Sequence, residues 1–217
     1  MKLLDTFSGE GFVCRAYQYS NGRVEFVADA DIDADGANGQ HGEKPAYTIR
    51  DDGSEYLANG GMGLRRGKVI GVEDWFRHIV ITGDDGQPRV FENGVIASMT
   101  SLRFTSKAKD DPAAYVDSET VPYIVLPPTV RERCKGIALG CRARATHIRT
   151  GKTVDCVVAD IGPRRKCGEL SIAAARAIGI PSSPRNGGTE KPVVRYELWP
   201  GEIAEINGMK YPMLKLG

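Results

Sequence analysis

An Asn21-Gly22 pair between two alternating runs, Phe12 to Tyr19 and Arg23 to Val27, is the local signal that most constrains how this chain can fold. Antiparallel strands twist right-handed, and a tight turn with positive φ matches that twist. Asn-Gly adopts such a turn at little cost. The chain is therefore expected to open with a β-hairpin. Further strand-like runs follow at His78 to Thr82, Arg89 to Glu92, Val95 to Ser98, Val121 to Leu126, Cys141 to Ile148, Thr153 to Ala159 and Val193 to Leu198. Gly83-Asp84-Asp85-Gly86, Asn93-Gly94 and Thr150-Gly151 supply turns between several of them. One helix is well signalled: Ser171 can cap Ile172 to Ile178, Gly179 can end it, and Pro181 blocks continuation. The reading is a mainly β fold with one or two short helices. The polar stretches 105–120 and 182–191 are expected to be loops on a single domain spanning residues 1–217.

The charge balance narrows the partners. With 29 basic and 28 acidic residues the chain carries a formal net charge of +1, which gives no global field toward nucleic acid or an anionic membrane. Residues Met1 to Glu10 lack the apolar run of a secretory signal, and no later stretch has the length of a membrane span. The expectation is a chain synthesised in the cytoplasm, with export left to a non-classical route. Cys14, Cys134, Cys141, Cys156 and Cys167 form an odd set without the close spacing of a zinc ribbon or redox motif. They read as buried thiols, although Cys156 and Cys167 could meet across the turn that separates them. His41, His78 and His147 are scattered, so neither a zinc site nor a serine-hydrolase triad is indicated. Asn59-Gly60-Gly61-Met62-Gly63 lacks the Lys-Ser/Thr ending of a phosphate-binding loop. No cofactor and no metal centre are expected.

Two carboxylates carry the chemical signal. The run Val157-Val158-Ala159 ends in Asp160, Gly162-Pro163 turns the chain, and Glu169 precedes Leu170-Ser171 and the helix. Acids on the two limbs of one turn can face a common space. Hydrolysis of an acetal at neutral pH needs one protonated carboxyl to protonate the leaving oxygen and one carboxylate to activate water. For inversion the two stand roughly 6.5 to 9.5 Å apart. The competing reading is structural, since an acid at a strand end also satisfies turn amides and one at a helix start answers the dipole.

Ala28-Asp29-Ala30-Asp31-Ile32-Asp33-Ala34-Asp35-Gly36-Ala37-Asn38 is the second unusual stretch. Alternate residues of an extended chain project to one side about 7 Å apart, so Asp29, Asp31, Asp33 and Asp35 would stack like charges. Asp31-x-Asp33-x-Asp35-Gly36 copies half of a calcium loop, but the twelfth position is Gly42 instead of the bidentate Glu. The remaining readings are a solvated acidic turn and a surface that recognises a polycation.

These motifs, together with Val121-Pro122-Tyr123-Ile124-Val125-Leu126-Pro127, resemble the chitosanases of glycoside hydrolase family 75 over residues 27–180. The resemblance implies an inverting, endo-acting hydrolase of β-1,4-linked glucosamine polymers. Its polysaccharide partner would be chitosan or a related amino-sugar glycan, and its essential acids Asp160 and Glu169. Asp31, Asp33, Asp35 and Asn38 would bind substrate, and Tyr123 and Trp199 are either sugar platforms or core aromatics. Asp160 is read as the acid and Glu169 as the base, with the exchange of roles open and Asp31 or Asp33 as a reserve base. The segment from Asp160 to Ala177 is also similar to double-psi β-barrel domains of expansin and lytic-transglycosylase type, which implies a six-stranded barrel core. Arg164-Arg165-Lys166 departs from a site built for a cationic glycan. That departure keeps two alternatives in view: a phage- or toxin-type peptidoglycan hydrolase and a non-catalytic glycan-binding barrel.

Overall fold

The computed structural model describes residues 1–9, 11–37, 79–91, 96–184 and 186–214, together with the backbone of four short strands between 47 and 70. The chain begins with β1 (Lys2–Ser8), β2 (Val13–Gln18) and β3 (Val24–Asp33). The β2–β3 turn closes at Asn21-Gly22 as expected, with Gly22 N–H donating to Tyr19 O at 3.0 Å. Strand β1 was not signalled by the sequence. It pairs antiparallel with β2, burying Leu4 and Phe7, while Arg133 donates to Leu4 O and Asp5.

Four strands of three residues each, β4 (Tyr47–Ile49), β5 (Glu55–Leu57), β6 (Gly63–Arg65) and β7 (Lys68–Ile70), form a separate antiparallel sheet. Where strands were expected over 78–82, 89–92 and 95–98, the described residues make isolated bridges such as Val80 to Ser98 and Val90 to Ile96. The Asn93-Gly94 turn, His41, His78 and the glycines at 59–63 lie outside the described residues, apart from the backbone of Gly63.

The centre of the molecule is a closed six-stranded β-barrel. Its further strands are β8 (Tyr123–Leu126), β9 (Cys141–His147), β10 (Thr153–Ile161), β11 (Glu169–Ser171) and β12 (Thr189–Ile206). Around the barrel the order is β3, β11, β8, β10, β9, β12 and back to β3. The β3–β11 and β8–β10 pairs are parallel and the other four antiparallel. Closure removes the free edges that an open sheet would expose. A last strand, β13 (Met209–Tyr211), extends the end of β12.

Strand β12 is far longer than the Val193 to Leu198 run because it absorbs two prolines at breaks in register. Pro192 falls between the Thr189 and Val194 pairings, and Pro200 between those of Trp199 and Ile203. A residue without an N–H is tolerated where the ladder is interrupted. The largest fully buried side chains on these strands include Phe26, Tyr123, Ile124, Leu170 and Tyr196, with Phe26 and Tyr196 stacked at 5.0 Å.

Two α-helices and a short 3-10 helix, Pro112–Ala114, are present among the described residues. In α1 (Pro128–Arg133), Pro128 occupies the first turn, where a missing N–H costs nothing. In α2 (Ile172–Ile178), Ser171 accepts from Ala174 N–H at 3.1 Å, and Gly179 ends the helix with φ +78°. Ser171 does more than cap. Its buried hydroxyl also accepts from Tyr123 N–H and donates to Val121 O, so it joins α2, β11 and β8 at one point.

Candidate functional site

Asp160 lies inside β10, one residue before the end of the strand. The register with β8 slips between Val158 and Asp160, which sets Asp160 opposite Val125. The residue is 7% exposed. Its Oδ1 accepts from the Ser101 N–H at 3.0 Å, from the Ser101 hydroxyl in a short contact, and from the Ile161 N–H at 2.7 Å. Leu102 N–H donates to Ala159 O at 2.8 Å and holds this segment along β10. Burial raises the Asp160 pKa, while the Ser101 and Ile161 donors and a contact with the Asp35 carboxyl pull it back.

Glu169 opens β11, which leads directly into α2. It pairs in parallel with Asp31, as Ser171 does with Asp33. Leu170 and Ile32 are buried between these positions, so Glu169, Asp31 and Asp33 project from the other face of the two strands. The approach is close because Gly168 has no side chain: a Cβ there would fall 2.2 Å from Asp29 Oδ1, at a φ of +88°. Burial pushes the Glu169 pKa up to about 7. Lys166 opposes that rise, and the Asp160, Asp31 and Asp29 carboxylates add to it.

Asp33 ends β3 at 3% exposure, and its Oδ1 accepts from the Asp35 N–H at 2.8 Å. Burial, followed by the fields of Asp35, Asp160 and Glu169, drives its pKa well above the usual carboxylate range. Asp35 has left the strand, contrary to the expected ladder of four stacked acids. The turn holds because Gly36, at φ +76°, passes beneath Val116, where a Cβ would meet the carbonyl oxygen at 1.9 Å. The calcium-loop likeness of this segment thus coincides with a steric requirement for glycine.

Asp33, Asp35, Asp160 and Glu169 line one cleft of about 460 Å³ with Ser101 and Gly162. Carboxylate oxygens of Asp33, Asp35 and Asp160 lie within 4.8 Å of one another, a spacing that could hold a cation. Like charges this close and this buried favour shared protons when no cation balances them. The acidic run therefore divides. Asp31 lies beside the cleft, in a second cavity with Asp29, and is held by Lys166 at 2.5 Å. Asn38 lies outside the described residues.

The cations after Pro163 are largely engaged. Arg164 makes a two-pronged pair with Glu132 of α1, and Lys166 pairs with Asp31. The aromatic platforms are not at the cleft. Tyr123 is fully buried and donates to Asp35 O at 3.0 Å. Trp199 is covered by the guanidinium groups of Arg142 and Arg144, at 4.4 and 5.5 Å. His147 is buried beside Thr150, 2.9 Å from Nδ1, as expected of a structural residue. Cys156 sits in the barrel wall with its thiol donating to Val154 O, and Cys156 and Cys167 are both free, buried thiols.

Sequence reasoning missed Ser101, whose surroundings Met99-Thr100-Ser101-Leu102 carry no periodic or motif signal. It also missed Glu132, which neutralises Arg164 from α1. Searches against known protein families and curated proteins found no family model and no relative that matches the chain.

Proposed function

We propose that this protein is an inverting, endo-acting glycoside hydrolase of polymeric β-1,4-linked glucosamine. The observation that carries the reading is that Asp160 and Glu169 line the same cleft with raised pKa values, Glu169 at about 7. A carboxyl that holds its proton near neutrality beside one that can ionise is the pairing acetal hydrolysis requires.

The hydrogen bonds favour one division of labour. Three donors at Oδ1 favour the ionised form of Asp160, which suits the base. Burial among other acids favours the protonated form of Glu169, which suits the acid. Glu169 then protonates the glycosidic oxygen as the C1–O bond breaks. Asp160 takes a proton from the water that bonds to C1 on the opposite face. This exchanges the roles first read from the sequence. With Asp33 held protonated by burial, the negative field suited to the ammonium groups of a deacetylated glycan comes from the ionised Asp160 and from Asp35 beside it in the cleft. The pairing of Arg164 and Lys166 with acids removes much of the opposing charge.

The test is reducing-end release from highly deacetylated chitosan, with product anomers followed by NMR. The wild type is expected to release α-anomeric ends first. Asp160→Asn and Glu169→Gln are expected to lose about 10²- to 10⁴-fold while remaining folded. A folded wild type that releases nothing from chitosan overturns the reading, and cleavage of peptidoglycan in the same assay would replace it.

A further inference from the structure

A further cavity, of about 470 Å³, opens between β1, α1 and the turn after β10, and it shares no lining residue with the acidic cleft. Three arginines line it: Arg133 from α1, and Arg164 and Arg165 from the turn. Asp5 is the single carboxylate among its lining residues. Burial opposes the ionised form of Asp5, but Thr129, the Thr6 N–H and Arg133 outweigh it, so this carboxyl titrates below its ordinary range and keeps its charge.

The existing contacts leave donors over. A guanidinium carries five N–H donors. Arg133 uses Nη1, on Leu4 O at 2.6 Å and on Asp5 Oδ1 at 2.9 Å. Arg164 gives one bond from each Nη to Glu132, at 2.9 and 2.6 Å. Arg165 is exposed and makes no ion pair among the described residues. Even with Glu132 included, three guanidinium groups stand against two carboxylates. Thr129 is 8% exposed, and its buried hydroxyl makes no hydrogen bond of ordinary distance and angle, so that donor is unspent as well.

We propose that this cavity binds a dianionic phosphoryl group, free or carried by a small phosphate monoester, between the three guanidinium groups. The planar fork of a guanidinium matches two phosphate oxygens, and such charge-assisted bonds are roughly twice as strong as neutral ones. A phosphoryl group can engage several forks at once, whereas a carboxylate offers two oxygens and one charge. Side-chain exposures of 53% for Arg133 and 62% for Arg164 leave both within reach of a ligand from solvent. Their pairs with Asp5 and Glu132 hold them in place, which lowers the cost of ordering them on binding. The bound group ties α1 to the turn that leads from Gly162 to Glu169. The Arg164-Arg165 run, which departs from a site for a cationic glycan, thereby serves a different ligand in a different cavity. The inference goes beyond glycan hydrolysis and does not depend on it.

The test titrates inorganic phosphate into the folded protein at constant ionic strength and follows the arginine Nε–H resonances by NMR, with thermal melts alongside. Saturable shifts are expected for Arg133, Arg164 and Arg165, together with a Tm that rises with phosphate. Arg165→Gln leaves both ion pairs intact and is expected to weaken phosphate binding by about tenfold or more, the worth of a hydrogen bond to a charged group. Acetate at the same ionic strength is expected to bind at least roughly tenfold more weakly than phosphate. A hexose monophosphate separates the sources: tighter binding than inorganic phosphate assigns the site to an ester, and equal or weaker binding assigns it to the free ion. The absence of saturable shifts with phosphate, unchanged binding in Arg165→Gln, or acetate binding as tightly as phosphate overturns the site.

Discussion

Ser101 donates both its backbone N–H and its hydroxyl to Oδ1 of Asp160, from a segment distant in the chain. One small residue thus holds the orientation and the charge state of the proposed catalytic base. If Asp160 acts ionised, Ser101→Ala removes one of its donors and its pKa climbs further. We expect kcat/KM to fall roughly tenfold, about the worth of one hydrogen bond to a charged group, and the acidic limb of the pH profile to move up. Steady-state kinetics across pH check this. A profile that coincides with the wild type would remove Ser101 from the site.

Glu169 makes stability depend on pH with a defined sign. Its pKa is about 7 in the folded protein against an ordinary value of 4.5. Below pH 4.5 the carboxyl is neutral in both states and carries no penalty. Between 4.5 and 7 the unfolded chain ionises more readily than the folded one, so the folded state loses ground as pH rises. Glu169→Gln is therefore expected to match the wild type near pH 4 and exceed it above pH 7 by up to about 3 kcal/mol. Thermal melts across that range read the difference directly, and parallel curves would contradict it.

Lys166 restrains the pKa of Glu169 while neutralising Asp31. Lys166→Met is expected to raise the Glu169 pKa and carry the alkaline limb of the pH profile upward. The pair is half-exposed, so activity at the optimum should change by less than about fivefold. Carboxyl NMR titration of Glu169 in both proteins decides the direction.

Gly162 gives Glu169 its room. A Cβ at this position would stand 2.9 Å from Val125 Cγ1 and 3.2 Å from Glu169 Oε2. Gly162→Ala is expected to cost about 1–3 kcal/mol of stability through overpacking. By moving the proposed catalytic carboxyl, it is expected to lower kcat/KM by roughly 10- to 100-fold. Denaturant melts and kinetics on the same preparation separate the two effects.

Local chemistry made much of this protein legible. Asn21-Gly22 marked the β2–β3 hairpin, Ser171 and Gly179 marked the ends of α2, and the apolar run into Asp160 marked β10, because each signal lies within a few residues of what it specifies. Barrel closure decided the rest. Pairing β3 with β11 set Asp31 opposite Glu169 and split the acidic run between two cavities. Docking of the 101–102 segment on β10 supplied Ser101. Propensity and periodicity act between neighbours in the chain. Which distant carboxylates and hydroxyls meet depends on strand order and register, which are fixed only when the sheet closes around its core.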